Sequence, residues 1–168
     1  MSKRPRRNPI TGKSTLVEYI EWSQYGDGNG LPEYLTRLCP SGLRHGRRLK
    51  TKLRLGAHQL QGSLARMIPR QHRTPADSRC ECCSAGVAET VRHALLECGC
   101  YADVRSEFFE RVQAAYPAFE HASPDMKLKF LMSDVTPKEV DNFLYRFLIQ
   151  LFASRERRLA SGLAGGRL

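Results

Sequence analysis

The sequence predicts a mainly α, small helical domain, and three observations predict it. Apolar residues recur at three- and four-residue intervals along successive stretches after residue 40. No stretch alternates apolar and polar residues as a half-buried strand would. Five of the six cysteines fall with one histidine inside residues 80–100, a local cluster suited to stapling a domain. The length of 168 residues suits one domain, and 41% hydrophobic content suits a core small enough to gain from such a staple.

The elements follow in order. Residues 1–13 read as a basic, disordered tail, and residues 14–42 as a short helix, capped by Ser14, followed by a Gly/Pro loop. Gly12-Lys13-Ser14 imitates the end of a phosphate-binding loop, but the motif's first glycine would fall on Arg7. Asp27 and Asn29 imitate a calcium loop, but Leu38 stands where its closing glutamate belongs. The main helical domain is expected over 43–160. Leu49 and Leu53 mark a helix over 43–55 that Gly56 stops, and Leu60, Leu64, Met67 and Ile68 mark a second, limited by Pro69. Val104, Phe108, Val112 and Tyr116 mark a helix ended by Pro117. Ser123-Pro124 opens a short one with Leu128 and Leu131. Thr136-Pro137-Lys138-Glu139 reads as a capping box. It precedes a long apolar stripe through Val140, Phe143, Leu144, Phe147, Leu148, Leu151 and Phe152. Residues 161–168 read as a disordered tail.

The cysteines sort by spacing. Cys80 and Cys83 are two residues apart, which lets one tight turn aim both thiolates at one ion; His93 and Cys98 are four apart, within the range of second pairs. Thr90 can cap a short helix with Val91, Leu95 and Leu96 turned inward. On a continuing α-helix His93 and Cys98 would point about 140° apart. Convergence therefore requires the helix to end near Glu97, where Gly99 is a natural stop. The expected ligands of one Zn2+ are Cys80, Cys83, His93 and Cys98, a CCHC set, with Cys82 the rival to Cys83. Buried free thiols and a redox switch are the competing readings. Four protein ligands close a zinc site, so the expected role is structural and no enzyme activity is read.

Leu49 to Arg105 is similar to the zinc-binding C-terminal domain of non-LTR retrotransposon reverse transcriptases. The resemblance rests on Arg54 to Gly56, on Leu60 to Leu64, on Cys80 and Cys83, on Glu89-Thr90 to His93, on Cys98, and on Tyr101 and Arg105. Residues 106–160 fit it more loosely. Cys82 and Ser84 depart from the pattern and leave the second ligand open. No paired aspartates occur, and the segment before residue 49 is too short for a polymerase. The resemblance implies a detached accessory module that binds zinc, contacts a template and has no polymerase activity.

Charge points the same way. The chain carries a net +10, and no acidic residue lies between Tyr34 and Ala76. Arg44, Arg47, Arg48, Lys50, Lys52, Arg54, Arg66 and Arg70 accumulate there and are expected to contact nucleic-acid phosphates, RNA or DNA. No aromatic follows Tyr34 in that stretch, so backbone-led binding is expected there. The alternative is a structural or assembly protein docking in a larger complex, a ribonucleoprotein among the candidates. Burial or exposure of the Phe143 to Phe152 stripe separates the two. No apolar run is long enough to cross a bilayer, so no membrane partner is expected. No apolar segment follows the basic N-terminus as a secretory signal would require. The expected setting is intracellular, nuclear or cytoplasmic, where thiols stay reduced.

Overall fold

The computed structural model describes residues 32–162, apart from the side chain of Arg70. The expected basic tail, the helix after Ser14, most of the Gly/Pro loop and residues 163–168 lie outside that range. Within it the chain is mainly helical, as the periodicity predicts. The elements are a single turn α1 (Glu33–Thr36), α2 (Arg44–Arg54), a single turn α3 (Gln61–Leu64), α4 (Ala102–Ala115), α5 (Ala118–His121), α6 (Pro124–Met132) and α7 (Lys138–Ala160). Among the described residues there is no strand, only an isolated antiparallel bridge between Arg79 and Ala88.

The long stripe organises the core. Val140, Leu144, Phe147, Leu148, Leu151 and Phe152 of α7 are buried together with Leu49 and Leu53 of α2 and Phe108 and Val112 of α4. α7 thus sits between the two shorter helices. Phe108 stacks on Phe147 with ring centroids 4.6 Å apart. Gly46 lets α2 approach α7 closely, because a methyl group there would overlap the backbone of Tyr145. Each fully buried large apolar side chain contributes about 1.5–3 kcal/mol relative to exposure, so this three-helix seam is a substantial part of the fold's cohesion.

Three sequence expectations need correction. The second helix breaks after one α-turn into a 3₁₀ turn, Ala65–Met67, and Met67 is 77% exposed. Gly62 and Ser63 are weak helix formers, and Pro69 lacks the donor that a further turn would need. The capping box at Thr136 does not form. Its hydroxyl faces back to α6, 2.8 Å from the carbonyl of Phe130 and 2.9 Å from that of Ser133, and accepts from Lys50 Nζ at 3.3 Å. Pro137 precedes the first turn of α7 with no side-chain cap. The α6 expectation holds, with Ser123 Oγ accepting from the Met126 amide at 3.3 Å.

The third correction concerns charge. Lys50 and Arg54 are not available to phosphates: both are buried, at 0% and 1% exposure. Lys50 Nζ pairs with Asp141 Oδ1 at 2.7 Å, and Arg54 pairs with Asp134. Both cations also lie over the Tyr34 ring, 4.8 and 5.0 Å from its centroid, which ties the N-terminal turn to α2. Burial lowers the Lys50 ammonium to about 8, although Asp141 opposes that shift.

Candidate metal centre

Residues 78–89 form a narrow knuckle. The Cys80 amide donates to the Val87 carbonyl and the Glu89 amide to the Ser78 carbonyl, each at 2.8 Å. Gly86, at φ 67°, takes the left-handed conformation that closes the turn. This rung fixes the chain on both sides of the cysteines, so Cys80 and Cys83 face one point from successive bends.

The second pair comes from an unusual helix. Thr90 accepts from the His93 amide at 3.0 Å, which is the expected cap. The helix then widens, and residues His93–Glu97 form a π turn in which the Cys98 amide donates to the His93 carbonyl at 2.7 Å. The i→i+5 bond adds one residue to the turn and brings positions five apart to the same side. The helix ends near Glu97 as required, but the π turn brings the ligands together. Gly99 is not the stop, since its φ is not positive; Cys98 itself leaves the helix with ψ 120°.

The result is a cluster of four donors, Cys80, Cys83, His93 and Cys98, whose ligand atoms lie within 4.8 Å of one another and could hold a metal ion. Cys80 Sγ and Cys98 Sγ are 3.9 Å apart, and Cys83 Sγ and His93 Nε2 are 3.4 Å apart. Cys83 is half-buried and the other three are buried. Cys82 turns the other way. Its sulfur accepts from the Tyr101 hydroxyl at 3.0 Å, and its carbonyl accepts from the Cys100 thiol. With Cys80 and Glu89, Cys82 forms a second, three-donor group. That Glu89 carboxylate is already held by Arg155, with Nε–Oε1 and Nη2–Oε2 both 2.9 Å, and by the Gln61 amide at 2.6 Å. The four-donor set is therefore the better ion site. Cys39 is remote from both groups in the sequence and joins neither; all six cysteines are free thiols.

Burial and crowding set the charge states of Cys80 and His93. The hydrogen bond with Cys82 favours the Cys80 thiolate, but the contact with Cys98 and burial outweigh it and push the thiol up to about 12. Burial lowers the His93 imidazole, which keeps it neutral, the form that binds metals. Its other nitrogen, Nδ1, lies 3.9 Å from Glu97 Oε2, and Arg92 Nε holds Glu97 at 2.5 Å. A carboxylate behind the free nitrogen is the usual companion of a metal-bound histidine. The Arg105 guanidinium donates to the Cys98 carbonyl at 2.9 Å, which anchors the exit of the π turn.

Sequence reasoning identified the four donors but missed Glu89, Arg155 and Glu97. Glu89 was visible only as part of a motif; nothing local signals that a residue 66 positions away pairs with it. The basic residues divide by position. Arg44, Arg48 and Lys52 are exposed and follow one another at four-residue intervals along the outer side of α2. Arg47 is half-buried and donates to the carbonyls of Leu35 and Arg37. Arg66 is half-buried, near the buried His58. Arg70's side chain lies outside the described set. Among the described residues no helix is long and apolar enough to cross a membrane. No protein-family model, curated protein or solved structure matches the chain.

Proposed function

We propose that this chain is a non-catalytic, zinc-stapled helical module that contacts nucleic-acid phosphates through the outer side of α2. The observation that carries the zinc assignment is the edge lengths of the donor cluster. A tetrahedral zinc with Zn–S bonds of about 2.3 Å and a Zn–N bond of about 2.0 Å has S···S edges of about 3.8 Å and S···N edges of about 3.5 Å. The two measured edges are 3.9 and 3.4 Å. Three thiolates and one imidazole are also a soft set that suits zinc over calcium or magnesium. Four protein ligands leave no coordination position for water, so the ion supports structure and does not activate a nucleophile.

The nucleic-acid reading is supported by the ridge of Arg44, Arg48 and Lys52, by the net charge of +10 and by the motif order shared with the reverse transcriptase zinc-binding domain. The rival reading, docking in a larger assembly through the aromatic stripe, has less support, because Leu144, Phe147, Leu148, Leu151 and Phe152 are buried and Phe143 alone of its aromatics is half-buried. A salt titration tests the proposal. Three phosphates neutralised give a log–log slope of affinity against salt of about −2 to −3. Arg48→Ala should weaken binding to structured RNA and duplex DNA alike and reduce the slope's magnitude by about one. Absence of binding to either at low salt would overturn the nucleic-acid reading and leave the zinc assignment intact.

A further inference from the structure

On the side of α7 away from α2, a groove of about 200 Å³ runs between α4 and α7. Its floor is the buried Phe108–Phe147 stack, and Phe143, half-buried, forms one wall. Four polar side chains, Glu107, Arg111, Arg146 and Gln150, stand around it. Arg111 lies over the Phe143 ring at 6.0 Å and takes up Glu107, the groove's acidic residue, at 2.9 Å. Arg146 is exposed and makes no ion pair or side-chain hydrogen bond among the described residues. The groove therefore offers an aromatic wall, a side-chain amide and one uncompensated guanidinium.

We propose that this groove takes one unstacked nucleotide of a single strand, with its base against Phe143, its edge read by Gln150 and its phosphate on Arg146. The proposal rests on the nucleic-acid reading and deepens it. Size and chemistry select the occupant. Ligand pockets for drug-sized molecules run to about 300–1,000 Å³, so this groove has room for about one planar ring. A ring with an anion beside it matches an aromatic wall with a guanidinium beside it, and stacking tolerates any base. The basic stretch before residue 76 lacks an aromatic platform after Tyr34. The groove supplies one from a different part of the chain, where the only acid is neutralised. An acidic peptide would satisfy Arg146 but has no ring to set against Phe143.

Fluorescence anisotropy on the full, zinc-loaded chain separates these cases. The probes are a 12-nucleotide single strand, the same strand with abasic sites, and a duplex of equal length. The variants are Arg146→Ala, Phe143→Leu, which keeps an apolar side chain and removes the ring, and Arg48→Ala on the α2 ridge. Equal zinc content and helicity establish that each is folded. Phe143→Leu should weaken the single strand about 5- to 150-fold, the range seen for losing one stacked base. It should leave the duplex and the abasic strand within twofold, while Arg48→Ala weakens all three. Single-strand affinity unchanged in both groove variants, with Arg48→Ala still effective, overturns the groove and leaves the ridge standing. Release of the single strand by an acidic peptide, without any loss in Phe143→Leu, overturns it in favour of a protein partner. No binding of any probe at low salt overturns the groove and the ridge together.

Discussion

Adjacent sulfurs at positions 82 and 83 have different fates, and the difference lies in the bends of the knuckle. Cys83 reaches the cluster with His93, whereas Cys82 points to the Tyr101 hydroxyl. Cys83→Ser should therefore lose the metal, and Cys82→Ser should retain one equivalent, measured by metal analysis of purified protein. The reverse pattern would move the site by one residue. His58 makes a second residue-scale prediction. Burial pushes its imidazole down from 6.5 to about 4, with repulsion from Arg66 and Arg155 adding to it. The unfolded chain gains that proton near 6.5 and the folded chain only near 4. Stability is thus fully present above 6.5 and falls as the pH drops through this window, by on the order of 3 kcal/mol. Release of the proposed zinc at acid pH would add to the fall, so the variant comparison isolates the histidine. His58→Asn keeps an acceptor for the Leu60 amide, which now donates to Nδ1 at 3.3 Å. It should flatten the difference between pH 6.5 and 4 in urea melts. An unchanged pH dependence would show that His58 does not titrate with folding.

At the scale of elements, the buried Glu89–Arg155 pair joins the metal knuckle to the last turns of α7, and the Gln61 amide joins α3 to the same carboxylate. Both side chains are nearly inaccessible, at 0% and 6% exposure. Arg155→Ala would strand a buried carboxylate and should cost about 3–5 kcal/mol, read from the denaturant midpoint. A cost below about 1 kcal/mol, the range of exposed pairs, would show that the pair is not holding the two elements together. The elements also show how much was legible in the sequence. α2 was readable in position and extent because Leu49 and Leu53 set a helical period. Which of its cations are buried was not readable. About the mean direction of Leu49 and Leu53, Lys50 and Lys52 each lie about 80° away on opposite flanks, and Arg54 and Arg48 about 120°, so the period alone does not single out Lys50 and Arg54. What no local pattern could show is that Asp141 and Asp134, more than 75 residues on, would receive those two cations. The box at Thr136 was misread for a related reason. Its hydroxyl finds stronger company at the end of α6 and at Lys50, so tertiary contacts override a good local motif. The π turn was hidden for another reason. Spacing can require His93 and Cys98 to converge, but both an α-helix that stops and a wider turn satisfy it.

Across the whole molecule, two structures share the work. The α2–α4–α7 seam is an ordinary apolar core, while α3, the knuckle and the π turn are short elements that nucleate poorly by themselves. Binding of a structural zinc is worth about 10–16 kcal/mol in isolated finger peptides, comparable to the entire stability of a small domain. With the proposed zinc bound, the Glu89–Arg155 pair would couple its site to α7, so the metal and the helical core should unfold together. The most direct test is a circular-dichroism melt of the purified chain, taken with its zinc content and repeated after chelation. The expected result is one zinc per chain, and a cooperative transition whose midpoint and helicity both fall when the ion is removed and return when zinc is restored. A chain that is free of metal as purified, fully helical, and unchanged in midpoint by chelator or by added zinc would contradict the account.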